Sequence, residues 1–469
     1  MFELHHLTAL EQLDWLRRGQ VSPLELAEHY LERIARLDPG IGAFATVTAD
    51  AARARAATLE SLVPRAAGLW GLPSADKDLW ARAGVRTTFG SRHFHDFVPD
   101  ESDEIVQTLD GAGAVSLGKT ATPEFGMPAY TESALLGATR NPWNPELGVG
   151  GSSGGAAAAV AAGLLPLAPG SDGGGSIRIP AAATGLVGLK PSRGRVASGS
   201  GFTTLGGLVT YGPLARTVSD AALLLDALIG DSEWATQPPT WDGGAYLNAA
   251  IRGEGRYQLG VMTSSPWDDS HEITVSPEAR ATLDLAVAEL DALGHGIDTV
   301  SLPPSPDYPD AFRTLWQAGA SAIPVEGQEL ERLEPLTRWL VERGRALDAR
   351  RLAEALEYLA GFERGVIRQF TGFDAVLTPA LAHTPPPIGW FDQEDGERNF
   401  AQQVQFTPWT SFVNVSGLPA ITLPVGQSPD GLPVGVQLVG RPGGEHVLLA
   451  LGAQLERRFR WQRRHPSMW

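Results

Sequence analysis

The segments GVGGSSGG at 148–155 and, after an Ala-rich run, GSDGGGSIRIPAAATGLVGLK at 170–190 decide how this chain is read. They set Ser152 and Ser176 on two glycine-rich turns, and glycine is used where backbone amides must approach a ligand closely or take positive φ. In Gly173-Gly174-Gly175-Ser176, three successive free amides precede a hydroxyl. An active site is therefore the leading expectation, ahead of Gly-rich connections around a tightly packed helix.

Composition narrows the class. At 469 residues, 43% hydrophobic and 19% charged, the chain should fold throughout as a globular protein. Its 37 Lys plus Arg against 54 Asp plus Glu give a net charge of −17, which repels phosphate backbones and anionic lipid. No nucleic acid or membrane partner is expected. Cysteine is absent, which excludes disulfides and thiolate chemistry. The N-terminal sequence shows no secretory pattern, and the uncharged run 154–170 is too weakly apolar and too broken by Pro166 and Pro169 to span a bilayer, so a cytoplasmic location is the expectation.

Ser22-Pro23-Leu24-Glu25 combines an N-cap, an N1 proline and a capping-box glutamate, which predicts a helix from Pro23 with Ala27, Tyr30, Leu31 and Ile34 inward. Further helices are expected at 51–62, 104–109, 155–162, 277–293, 348–370 and 445–459. Strands are expected at 74–79, 114–117, 164–168, 375–377, 421–425 and 434–438. This alternation favours an α/β layer architecture. The Trp-, Pro- and Gly-rich stretch 230–255 and the segment 382–399 read as loops shaping an entrance.

Two motifs mislead. Gly113 to Thr120 fits the Walker A pattern, but the apolar segment falls inside it and Pro123 follows where a helix should begin, so Lys119 reads as a strand-end residue. Gly150-Gly151-Ser152-Ser153-Gly154 fits the nucleophile elbow of a Ser-His-Asp α/β-hydrolase-type esterase, with His271, His295, His383, His446 and His465 downstream. An elbow needs a buried strand before it, whereas Asn141 to Pro145 is turn-forming.

Acyl transfer from an amide needs a nucleophile, a base, an acid for the leaving nitrogen and donors for the oxyanion. Ser176 and its preceding amides can supply the first and last. Lys77 in GLPSADKD is the candidate base: on an extended segment it faces away from Asp76 and Asp78, and burial would lower its pKa by the roughly two to three units a base near neutrality needs. The same residues equally describe a surface lysine paired with one of those aspartates.

SPLELAEHYLERI, GLPSADKD, GKTATPEFG, GATRNPWNP, GGSSGG, GSDGGGSIRIPA and NVSGLPAITLPVG together resemble the amidase signature hydrolases over nearly the whole chain. The resemblance implies an α/β fold with a large mixed central sheet covered by helices on both faces. It implies one amidase domain over 1–469, with N-terminal helices at 1–70, a signature core at 71–229, a substrate-shaping region at 230–400 and a C-terminal return at 401–469. It also implies a Ser-cisSer-Lys triad of Ser176 as nucleophile, Ser152 after a cis peptide as proton relay, and Lys77 as base. Gly173, Gly174, Gly175 and Ser176 would form the oxyanion hole, with Ser153, Asp172 and Arg178 in support and neither metal nor cofactor.

Within the family, the A subunit of tRNA-dependent amidotransferases usually carries KDN and a glutamine after SIR, where this chain has Asp78-Leu79 and Ile179. The likeness is greater to stand-alone bacterial amidases, including the 6-aminohexanoate cyclic dimer hydrolase type. It implies a serine acyl-enzyme acting on a small, fairly apolar linear or cyclic amide as the small-molecule partner. A homodimer is compatible with the sequence, which does not fix the assembly. Phe125 to Thr131 should line the acyl side, and Trp267, Trp316, Trp390 and Trp409 lie in or near the region that shapes the pocket.

Overall fold

Short apolar runs between glycine and proline become strands, while longer periodic ones become the helices that cover them. The computed structural model describes residues 3–61, 68–197, 205–230 and 244–469. Three strands, β1 (Phe44–Val47), β2 (Pro73–Lys77) and β3 (Val115–Thr120), form a small sheet in the order β1-β3-β2. The main sheet has eight strands: β4 (Leu167–Asp172), β5 (Val187–Lys190), β6 (Thr210–Ala215), β7 (Gln258–Val261), β8 (Gly296–Thr299), β9 (Ala375–Pro379), β10 (Ala420–Gln427) and β11 (Pro433–Gly440). Their order is β8-β7-β9-β11-β10-β5-β6-β4. The β7 pairings are parallel and the rest antiparallel, so the sheet is mixed.

Register shows that both faces are covered. Leu423 on β10 lies opposite Val436 on β11, and Leu423 packs beneath Gly452 of the helix Glu445–Phe459. Gly435, the neighbour of Val436 on β11, turns to the other face and lies against Ala182 of the helix Arg178–Thr184.

The Ser22–Glu25 capping box closes as expected, and Ala27, Tyr30, Leu31 and Ile34 are buried beneath the helix Pro23–Leu37. From that helix Arg33 donates to the carbonyls of Ala162 and Gly163, placing a cation at the C-terminal end of the Ala-rich helix Gly154–Ala161. The strand expected at 164–168 lies further on, at Leu167–Asp172. It sits at the sheet edge, where a proline costs no ladder bond, so it runs through Pro169 and delivers Asp172 to the glycine loop. Of the expected loop 230–255, residues 231–243 lie outside the described residues, as does Leu62 of the helix expected at 51–62. Among the described residues, no helix is long and apolar enough to cross a membrane.

The helix Gly154–Ala161 is all glycine and alanine except Val160 because it packs against main chain. A methyl at Gly155 would lie 2.3 Å from Ala121 N and 2.5 Å from the carbonyl oxygens of both Ala121 and Ala43. Gly319, in the helix Tyr308–Ala320, has nothing within 4 Å of the same position. In urea denaturation Gly155→Ala should therefore lower stability by roughly 2–4 kcal/mol. Gly319→Ala should raise it by about 0.5–1 kcal/mol.

Candidate active site

Strand β2 ends on Lys77, and period-two alternation sends the side chains around it to different partners. Asp76 meets Arg82, which also pairs with Asp110, and Asp78 takes Thr88 and the Lys119 ammonium at 3.3 Å. Lys77 turns the other way. Its Nζ lies 2.8 Å from Ser152 Oγ, 3.0 Å from Ser153 Oγ and 2.9 Å from Ser171 Oγ, fully buried. Among the described residues no carboxylate reaches it within ion-pair distance. Burial lowers its pKa from 10.5 to about 7, against a weaker upward pull from Asp172. The alternative of a surface lysine paired with Asp76 or Asp78 is thereby excluded.

Ser152 follows a cis peptide from Gly151 and abuts the 124–126 turn, where a methyl on Gly126 would come within 3.3 Å of its hydroxyl. Ser153 N donates to the carbonyl of Ser176 at 3.1 Å, which brings the two glycine-rich turns together. Ser176 opens onto a cavity whose walls include Met127, Ile179, Trp267, Phe312, Trp316 and Phe400. None of the lining side chains is charged. Pro128 and Ala129 belong to the same wall, as expected of the 125–131 stretch. Trp390 and Trp409 do not line it: Trp390 packs on His383 and Phe391, and Trp409 is in the core with its indole on the Thr263 carbonyl.

The expected four-donor oxyanion hole needs a correction. Asp172, at the end of β4, reaches into the loop and accepts from Gly175 N at 2.8 Å and Ile177 N at 3.1 Å. The Gly175 amide is thus committed, while among the described residues those of Gly173, Gly174 and Ser176 have no hydrogen-bond partner. Gly175 itself is dictated by geometry, with φ +129 and a built methyl 2.6 Å from Thr410 Cβ. Thr410 Oγ1 donates to the Gly174 carbonyl at 2.6 Å, and Trp316 lies about 3.5 Å from where a Gly173 methyl would be.

Behind the loop, Arg178 grips Asp172 through Nε and Nη2, at 3.0 and 2.9 Å, and extends to Gln437 and Asn414. Asn414 donates to the Asp172 carboxylate as well. Burial opposes charge on Asp172, yet the Arg178 guanidinium, with Lys190 and Asn414, holds the carboxyl well below the usual range. Ser171, Asn414, Gln437 and Thr410 escaped the sequence reading, because a single serine, asparagine, glutamine or threonine carries no pattern.

The elbow reading also meets its geometry. The strand before Gly150, Asn144–Gly148, is a largely exposed arm of a two-stranded hairpin with Arg140–Asn141. Each of the five histidines is engaged elsewhere: His271 on Ser270, His295 between Tyr257 and Gln454, His383 on the Thr384 carbonyl, His446 beside Gly443 and Glu445, and His465 stacked on Trp469. Lys119 lies inside β3, and Thr120 is followed by a single 3-10 turn at Glu124–Gly126 with no α-helix before Gly154, so the Walker pattern has no phosphate loop behind it.

The Amidase family model matches residues 25–449. The chain is 38% identical over 472 residues to the putative amidase AmiB2 of Mycobacterium tuberculosis, covering 98% of both chains. It is 34% identical over 473 residues to a putative amidase of Synechocystis sp., covering 97% of this chain and 88% of that one. Among solved structures it is similar to 6-aminohexanoate cyclic dimer hydrolase complexed with substrate, with a TM-score of 0.91 at 32% identity over 99% of this chain and 100% of that one. It is also similar to a bacterial aryl acylamidase, with a TM-score of 0.86 at 27% identity over 98% and 97%. With a family model spanning most of its length and relatives matching nearly end to end, the chain belongs to the amidase family and is a hydrolase of carbon–nitrogen bonds.

Proposed function

We propose that the protein hydrolyses small, uncharged carboxamides, linear or cyclic, through a serine acyl-enzyme on Ser176, with Ser152 as proton relay and Lys77 as base. The observation that carries this reading is the 2.8 Å contact between Lys77 Nζ and Ser152 Oγ in a site that gives the lysine hydroxyls and no counter-ion. A neutral amine has two N–H bonds and one lone pair. Ser153 spends its own proton on the Ser171 carbonyl at 3.2 Å, so it accepts from Lys77. In the productive arrangement Ser171 accepts the second N–H, and the lone pair faces the Ser152 proton.

Ser152 then passes its proton to Lys77 as it takes one from Ser176, whose oxygen attacks the amide carbon. The open amides of the 173–176 loop stabilise the oxyanion. On collapse the proton returns from Lys77 through Ser152 to the leaving nitrogen, and water repeats the cycle on the ester. The uncharged walls support a neutral substrate, and the apolar Ile179 stands where an amidotransferase A subunit usually has glutamine. We further propose that 1–469 acts as one domain in the cytoplasm, without cofactor or nucleic acid.

The working form of Lys77 is the neutral one, so kcat/KM for a neutral anilide should rise with pH along a single-proton limb centred at about 7 and fall roughly tenfold per unit below pH 6. Ser176→Ala and Lys77→Ala should each abolish turnover with unchanged circular dichroism. Wild-type turnover in either would refute the roles. The same shift acts on stability. Between pH 7 and about 10 the unfolded lysine holds a proton that the folded one has lost, so this group makes wild-type stability rise with pH at up to about 1.4 kcal/mol per unit. In denaturant titrations Lys77→Met, which lacks the group, should stand highest relative to wild type at pH 7 and lose that advantage by pH 10.

A further inference from the structure

Ser411 opens the helix Ser411–Val415 and lines the same cavity as Ser176, although it is itself 6% exposed. Its oxygen meets two fixed donors, the Trp267 indole Nε1 at 3.1 Å and the Tyr308 hydroxyl at 2.9 Å. An indole N–H can only donate. Tyr308 is completely buried, and among the described residues its hydroxyl finds only Ser411, so its proton goes there or remains unpaired in the core. Both lone pairs of Ser411 Oγ are then filled, and its own proton is left over. The usual outlet for a helical serine is the carbonyl one turn back. Among the described residues Ser411 Oγ makes no bond to that carbonyl, of Thr407, whose partner is Thr410 N at 3.5 Å.

The rest of the wall is apolar or occupied. Thr407 gives its proton to the Gln403 carbonyl at 2.9 Å, and the Gln403 carboxamide is held by Ala129 N at 2.7 Å and Asn399 at 2.6 Å. A buried hydroxyl proton with no acceptor among the described residues, on the wall of an uncharged cavity, is a feature that a ligand oxygen completes. We infer that Ser411 reads the substrate by donating to a second carbonyl, separate from the one that Ser176 attacks, so that the enzyme selects neutral amides carrying two carbonyl oxygens. This deepens the proposed function and rests on Ser176 being the nucleophile of that cavity.

The test uses matched anilides that differ only by a ketone against a methylene at successive positions of the apolar arm. Their kcat/KM is measured in wild type, Ser411→Ala and Tyr308→Phe. Wild type should favour one ketone position roughly three- to tenfold, through KM. Ser411→Ala should bring the ratio to about one, and Tyr308→Phe, which leaves the Ser411 proton free, should keep it. Loss of packing alone would lower both rates and leave the ratio standing. Calorimetric binding of the same pair to Ser176→Ala, with and without Ser411→Ala, separates the two claims. If nothing is hydrolysed but the ketone preference in binding depends on Ser411, the catalytic reading fails and only the carbonyl contact of Ser411 stands. No preference at any position, or one that survives Ser411→Ala, overturns the assignment.

Discussion

Burial takes the ammonium of Lys77 out of water and returns no counter-charge, only the oxygens of Ser152, Ser153 and Ser171. Two other lysines are equally dry. Lys119 sits 3.3 Å from Asp78 and also donates to Thr87 and the Trp80 carbonyl; burial lowers its pKa, against the opposing pull of Asp78. Lys190 is lowered to about 7 by burial and by Arg178, as low as Lys77, yet its Nζ donates to the Pro191 carbonyl, which has no proton to give. A depressed pKa therefore does not by itself mark the proposed base. What separates Lys77 is that its neighbours are hydroxyls, groups that can both accept its protons and hand it theirs.

That arrangement requires the nearest buried acid to be engaged elsewhere. Asp172 draws Lys77 toward its charged form, and an uncompensated carboxylate at the end of β4 would do so more strongly. Arg178 and Asn414 surround it, while its oxygens hold the amides of Gly175 and Ile177. The same clamp that quiets the acid also sets the glycine loop by taking up the Gly175 amide. Two of its members, Asn414 and Gln437, come from the C-terminal part of the chain, with Gln437 on β11 in the centre of the main sheet. The last seventy residues thus return to complete the site as well as the core.

The legible parts of this protein were those with local chemistry. The 445–459 helix and the Asp348 N-cap, which accepts from Arg351 N, followed from caps and periodicity. The Gly-Ser turns announced themselves by composition. Strand β6 did not, because Tyr211-Gly212-Pro213 has little β propensity and becomes extended only by pairing with β4 and β5 on either side. The oxyanion loop was read as four equivalent amides, since nothing local says that Asp172 folds back onto one of them. Ser171 was hidden for a related reason: its hydroxyl meets Lys77 across 94 residues of chain, and a lone serine before an aspartate has no periodicity to betray it.

Tyr308, Phe312 and Trp316 recur at i, i+4 and i+8, and a stripe of that spacing reads as an ordinary core-facing helix. In the fold the stripe serves three ends of one cavity. Tyr308 fills a lone pair of Ser411, Phe312 forms the wall and stacks on Trp316, and Trp316 lies over Gly173 and Gly174 beside Ser176. One helix carries all three and so joins the cavity wall to the glycine loop that we propose receives the oxyanion. On that proposal, recognition and reaction geometry share one structural element. This gives the aromatic stripe a physical reason to be bulky and continuous that burial alone does not supply.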